Sequence, residues 1–278
     1  MSRGPVTSGP EPTIGHAGPS GARVRFRSWG QHEGAPWVVL IQGLGLSGKF
    51  WFEQPARLVR AGYRVVTLDN RGTGESDPVT GPFRLRAYAD DVARVMDAAG
   101  ADRGYVVGIS MGGMIAQHVA IRHGARLDGL VLLATTPGLP HGRLTSPTAI
   151  AKLASLPFVR DGGRTAASLL LSRRDLPRAK ELLAPFAPAF AEHPIRPRTF
   201  FLQLGAIAAH STAARLRRVQ VPAVVVAGSD DVLVPPAASR ALAAALPNAH
   251  FELLPDVGHA IPTAAPDVVE RALARLRG

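Results

Sequence analysis

Five short apolar runs constrain this chain more than any other feature: Trp37–Ile41, Tyr63–Leu68, Tyr105–Ile109, Leu130–Leu133 and Ala223–Ala227. None shows the strict polar–apolar alternation of a sheet with one wet face, so each suits a strand buried on both sides of a parallel sheet. Segments with helical period lie between them, notably Leu85–Ala99, Met111–His123 and Pro236–Leu246. Strand–helix alternation of this kind predicts an α/β fold with a doubly wound, mostly parallel sheet. Functional residues are then expected in the loops at the carboxyl ends of the strands. One earlier segment, Arg23–Trp29, does alternate, with Val24 and Phe26 opposed to three arginines. It reads as a half-exposed strand at an antiparallel edge.

The alternation lapses from Pro137 to Val219, a stretch punctuated by proline and rich in Ala, Leu and Arg. Its spacing is helical, which predicts a helical cap at 137–219, inserted between two parts of one core domain at 22–136 and 220–278. Residues 1–21 are rich in Gly, Pro and Ser and are expected to form a disordered tail. They carry no apolar core of a secretory signal, and no apolar run is long enough to span a bilayer, so a cytoplasmic location is expected.

No cysteine is present, which excludes a catalytic thiol, a thiolate metal site and a disulfide framework. The chemistry must come from other nucleophiles. Two glycine motifs compete for it. Gly43, Gly45 and Gly48 follow the run Trp37–Ile41 in G-x-G-x-x-G spacing, and Asp69 stands where a ribose-binding acid would. The same residues approach a P-loop, but Phe50 follows Gly48-Lys49 where Ser or Thr is needed to reach Mg²⁺. A tight strand-to-helix turn explains the glycines equally well.

The second motif is G-I-S-M-G-G at Gly108–Gly113, between an apolar run and a helical pattern. A G-x-S-x-G sequence in a strand–turn–helix context holds its serine on a sharp turn above the sheet. The helix beginning at Met111 then offers free N–H groups to a developing oxyanion. Alternatively, Ser110 is only the helix cap. A serine nucleophile also needs a histidine base and an acid to orient it. Asp230 and Asp231 end one strand in G-S-D-D-V-L-V-P, and His259 follows the next in P-D-V-G-H-A. His118 and His123 are five apart on one helix and share no face. The remaining histidines read as surface or cap residues.

Five segments taken in order resemble the α/β-hydrolase superfamily: Q-G-L-G, D-N-R-G-T-G-E-S at Asp69–Ser76, G-I-S-M-G-G, G-S-D-D-V-L-V-P and V-G-H-A. The resemblance runs from about Ala22 onward and is nearest to small esterases, enol-lactonases and carbon–carbon bond hydrolases. It also extends to tailoring or chain-releasing hydrolases of polyketide pathways, which places the chain in secondary metabolism as one option. It implies Ser110 as nucleophile, His259 as general base and then acid, and Asp231, with Asp230 as the runner-up, as the orienting acid. The backbone N–H groups of Leu44 and Met111 would form the oxyanion hole. Asp69, Arg71 and Ser76 would hold a structural loop. Gln42 stands where the family usually has His, and it either touches substrate or supports the loop; Trp51 is expected in the substrate pocket.

The implied activity is hydrolysis of an ester, lactone or thioester through an acyl-enzyme, with no metal and no organic cofactor. Rival readings keep the same residues but cleave a C–C bond, act as a lyase or cyclase, or bind a ligand with a silent triad. A small-molecule substrate is expected, and neither nucleic acid nor membrane. The chain carries a formal +11 and has only three lysines, Lys49, Lys152 and Lys180. Residues 137–219 hold 13 Lys and Arg against 4 Asp and Glu, so +9 of that charge lies in the expected cap. Two readings of it stand: solvated helix faces, or selection of an anionic or carrier-bound substrate such as an acyl-phosphopantetheine.

Overall fold

The computed structural model describes residues 11–30, 32–139, 145–161 and 163–278. Eight strands form one sheet: β1 Thr13–Ala17, β2 Val24–Trp29, β3 Trp37–Ile41, β4 Arg64–Leu68, β5 Gly104–Ile109, β6 Leu127–Leu133, β7 Ala223–Gly228 and β8 Ala249–Leu254. Their spatial order is β1-β2-β4-β3-β5-β6-β7-β8. The β1–β2 and β2–β4 pairs are antiparallel and every other pair is parallel. All residues of β3, β5 and β7 are buried, as unalternating apolar strands at the centre of a covered sheet must be.

Helices cover both faces. The first four are α1 Gln54–Arg60, α2 Leu85–Ala99, α3 Met111–His123 and α4 Pro147–Ser155. Then come α5 Arg164–Leu170, α6 Ala179–Leu183, α7 Ala187–Glu192, α8 Pro197–Ala208 and α9 Ala213–Leu216. The chain closes with α10 Pro236–Ala245, α11 Ile261–Ala264 and α12 Val268–Arg277. One apolar core joins α2, α3 and α10 to the sheet, and a second joins α1 and α12 to its other face. The first ten residues of α3 are all buried, Gln117 and His118 among them, so this helix is covered on every side rather than amphipathic. No helix among the described residues is long and apolar enough to cross a membrane.

Two expectations for the N-terminal part are corrected. Thr13–Ala17 is not tail but the edge strand, while residues 1–10 lie outside the described residues. Gly15 makes that pairing possible, because a Cβ there would sit 2.4 Å from the Phe26 ring. It follows that β2 is an inner strand. Its Arg27 is buried and pairs with Asp69 and Glu75, so it does not face solvent.

Between β6 and β7 the described residues hold helices α4 to α9 and no strand, in keeping with a helical insertion; residues 140–144 and 162 of the expected cap lie outside the described residues. Proline opens α4 and α8 at the first helical position, where its missing N–H costs nothing. Ser146 caps α4 by accepting from Ala149 N–H, and Asp161 accepts from Gly163 and Thr165 N–H ahead of α5.

Candidate active site

Ser110 stands between β5 and α3 with φ 55° and ψ −120°. A β-carbon residue rarely adopts this region, and it persists only where the surroundings impose it. Two glycines impose it here. A Cβ on Gly108 would lie 2.3 Å from the Gly112 carbonyl oxygen, and one on Gly112 would lie 2.1 Å from that of Ile41. Strand, turn and helix therefore approach to backbone contact. The Ser110 hydroxyl makes no capping hydrogen bond to α3, so helix capping does not account for the serine. The Ser110 carbonyl is held instead, by Met114 N–H at 3.1 Å and by the Thr135 hydroxyl at 2.8 Å.

His259 and Asp231 meet at 2.8 Å between Nδ1 and Oδ2, with the Asp231 side chain fully buried. A carboxylate only accepts, so Nδ1 carries the hydrogen, and in the neutral ring Nε2 has the lone pair. The other oxygen of Asp231 accepts from Leu233 and Val234 N–H, both at 2.8 Å, which locks the carboxylate in place. The Asp230 carboxylate is half-buried and accepts from the neighbouring Ser229 hydroxyl at 3.2 Å. A Cβ on Gly228 would collide with the Val257 carbonyl at 2.2 Å, so that glycine lets the His259 loop close onto β7. The cap adds a pin, because Ala260 N–H donates to the Leu170 carbonyl at 2.9 Å.

Ser110 and His259 line one cavity of about 2030 Å³, together with Gln42, Leu44 and Trp51. Its roof is the helical segment from β6 to β7, and most of its lining is apolar, including Phe50, Leu153, Leu182, Phe186 and Phe190. The loop after β3 passes close to the serine, since a Cβ on Gly43 would lie 3.5 Å from that of Ser110. Leu44 and Met111 N–H have no protein acceptor among the described residues. Gln42 is buried and turns back on its own loop, accepting from Gly43 N–H at 2.8 Å. That contact supports the loop. Trp51 is buried at the cavity wall, and its indole nitrogen has no partner among the described residues.

Three supporting residues escape a reading of the sequence. Gln203 of α8 accepts from Gly45 N–H at 2.8 Å across 158 residues, Asn70 donates to the Gln42 carbonyl at 3.1 Å, and Thr135 holds Ser110. No local pattern announces such contacts. The first glycine motif is a backbone device. Gly45 has φ 73°, and a Cβ on Gly48 would press on the Leu68 carbonyl at 2.9 Å. Asp69 is buried and accepts from Gly48 N–H, Glu75 N–H and Arg27. Asp69, Glu75 and His193 could each bring one ligand atom within 4.8 Å of the others. The Arg27 guanidinium already occupies the space between the two carboxylates, so the donor set serves an internal ion pair.

Comparison with known proteins identifies the family and the fold. Residues 36–263 match the alpha/beta hydrolase fold family model. The provisionally named carbamate hydrolase RutD of Caulobacter sp. (strain K31) is 35% identical over 245 residues, 85% of this chain and 88% of its own. The provisionally named non-heme bromoperoxidase BpoC of Mycobacterium tuberculosis is 30% identical over 246 residues, 86% of this chain and 92% of its own. Among solved structures, the enol-lactonase from Burkholderia xenovorans LB400 superposes with a TM-score of 0.79 at 25% identity, over 94% of this chain and 99% of that one.

Proposed function

The chain belongs to the α/β-hydrolase family and is a hydrolase of that fold; from that premise we propose that it is a serine hydrolase of lipophilic esters, lactones or thioesters. The observation that carries this reading is a strained Ser110 and an Asp231-anchored His259 on the wall of one large apolar cavity.

His259 Nε2 removes the hydroxyl proton as Ser110 Oγ bonds to the substrate carbonyl carbon. The carbonyl electron pair moves onto oxygen, and the N–H groups of Leu44 and Met111 receive it. Collapse breaks the bond to the leaving oxygen or sulfur, which takes the proton from His259. Water then attacks the acyl-enzyme, losing its proton to His259, which passes it to Ser110 Oγ as the bond to the acyl carbon breaks and the acid leaves. Asp231 keeps the imidazole in the tautomer this requires. The apolar lining favours an acyl group with a long or bulky hydrocarbon body over a small polar one.

Fluorophosphonate labelling tests the nucleophile: wild type should be labelled and Ser110→Ala should not. A panel of p-nitrophenyl esters and lactones against β-diketones tests the bond. Turnover of diketones without esters would replace the acyl-transfer reading with C–C cleavage, and unlabelled folded protein would dismiss Ser110 as nucleophile.

A further inference from the structure

Of the four amides from Gly43 to Leu46, only that of Leu44 has no acceptor among the described residues. Gly43 N–H donates to Gln42 Oε1 at 2.8 Å, Gly45 N–H to Gln203 Oε1 at 2.8 Å, and Leu46 N–H to the Gly43 carbonyl at 3.4 Å. The Gln42 carbonyl is held as well, by Asn70 Nδ2 at 3.1 Å. The peptide groups before and after the one that carries the Leu44 N–H are therefore both tied. Of these ties, only Gln203 comes from the helical insertion. Gly45 makes that approach possible: its φ is 73°, and a Cβ there would lie 3.1 Å from the Phe200 ring of α8.

A glutamine side chain ends in one group that accepts and one that donates, so a half-turn of its amide would present the wrong one to Gly45. Tyr88 of α2 fixes the choice. Its hydroxyl donates to the Arg71 carbonyl at 2.8 Å, which only accepts. A lone pair of the hydroxyl is then left to accept from Gln203 Nε2 at 3.1 Å, and Oε1 faces Gly45. Burial raises the Tyr88 phenol well above its ordinary value, so the hydroxyl keeps its proton. Gln203 and Tyr88 are both buried and neither lines the large cavity, whereas Phe200 and Leu204 of the same helix do. Neither polar side chain reaches the substrate.

We infer that Gln203, oriented by Tyr88, is the positioning residue of the oxyanion hole: it holds the Gly45 peptide so that the Leu44 N–H stays aimed at the oxygen that becomes negative. The inference rests on the acyl-transfer reading above. A donor held in place before the reaction stabilises the developing charge more than the bound ester, so loosening it lowers kcat and spares ground-state binding. Without the Gln203 oxygen, Gly45 N–H would be a buried donor lacking an acceptor, and the loop would shift to find one. The insertion thus does more than roof the cavity; it completes the catalytic floor.

Steady-state kinetics of the full chain on p-nitrophenyl esters, normalised to sites titrated with a fluorophosphonate, test this. Gln203→Met has similar length and no polar atom, and should lower kcat about ten- to hundred-fold with KM within about three-fold of wild type. An alkyl boronic acid forms a tetrahedral adduct on Ser110 with an oxygen in the hole, so its inhibition constant should rise by the factor that kcat loses. Tyr88→Phe keeps Gln203 but frees its amide to turn, and should show the same pattern at about three-fold or more. Phe201→Ala trims the exposed side of α8, where Phe201 stacks on Phe158, and should leave all three readouts unchanged. Wild-type kcat in folded Gln203→Met or in Tyr88→Phe overturns the inference, as does a loss carried by KM or an equal loss in Phe201→Ala. If Gln203→Met does not fold, Tyr88→Phe decides alone. The acyl-transfer reading fails separately, through unlabelled wild type or a Ser110→Ala variant that still turns over ester.

Discussion

The floor and the roof of the large cavity are built by different rules. On the floor, the loops after β3, β5, β7 and β8 meet at backbone distance, and single glycines decide whether they can. In the roof, α6 and α7 contain no fully buried residue, and Phe190, Leu176 and Ile150 are each more than a third exposed. Geometry needed to tenths of an ångström is thus fixed by the sheet, while selection among hydrocarbon groups is left to short, loosely packed helices. Substitutions in the two regions should fail differently: the floor in rate or in folding, the roof in preference.

The largest effect belongs to the floor. Ser110→Ala should lower kcat by at least about 10⁴-fold on any ester the enzyme accepts, with thermal stability unchanged, because the hydroxyl makes no capping hydrogen bond to α3. Residual activity within ten-fold of wild type would break the comparison at its root. Next comes Gly112→Ala. Its new methyl would overlap the Ile41 carbonyl, so denaturant unfolding should show a loss of about 3–5 kcal/mol. A loss below about 1 kcal/mol would mean that the loops have slack the structure does not show.

A third test probes the seam between the two regions, where His118 of the core meets His210 of the insertion. Both folded-state values are depressed, so the unfolded chain binds more protons as pH falls through 6.5. Stability contributed by keeping the rings neutral is present above pH 6.5 and is lost on acidification toward the folded values. Between pH 7 and pH 5 the two together should remove about 3–4 kcal/mol, and a His118→Gln, His210→Gln double variant should flatten that slope. An unchanged slope in the double variant would assign the acid sensitivity to other groups.

The same division governs what can be read from the amino-acid order. Strands β3 and β5 and helices α2 and α3 are legible because burial on both sheet faces, and the glycines around Ser110, are local patterns. The His259–Asp231 pair is legible as an order of motifs rather than as a contact. Strand β1 is not, since T-I-G-H-A has no alternation and becomes a strand only by pairing with β2 over Gly15. Nor is the burial of His193 and His210, which sequence reads as surface or cap residues: His193 does cap α7, but both are buried because their neighbours come from elements far along the chain. The roof is legible in kind but not in detail. Ala, Leu and Arg favour helix everywhere in it, so only prolines and caps set the boundaries.

The smallest expected effect lies in the roof and sharpens the comparison most. Phe190 packs edge-on against Phe50 of the floor with ring centroids 4.5 Å apart, yet it is 39% exposed. Phe190→Ala should therefore cost only about 1 kcal/mol, less than a fully buried aromatic would. Phe50 keeps its place through its own burial in the turn before α1. The change should appear in selectivity instead. With that wall of the cavity removed, kcat/KM for long-chain p-nitrophenyl esters should fall a few-fold relative to short ones, while kcat for short esters holds. If short and long esters fall together, the roof positions Ser110 or His259, and the two regions are one machine after all.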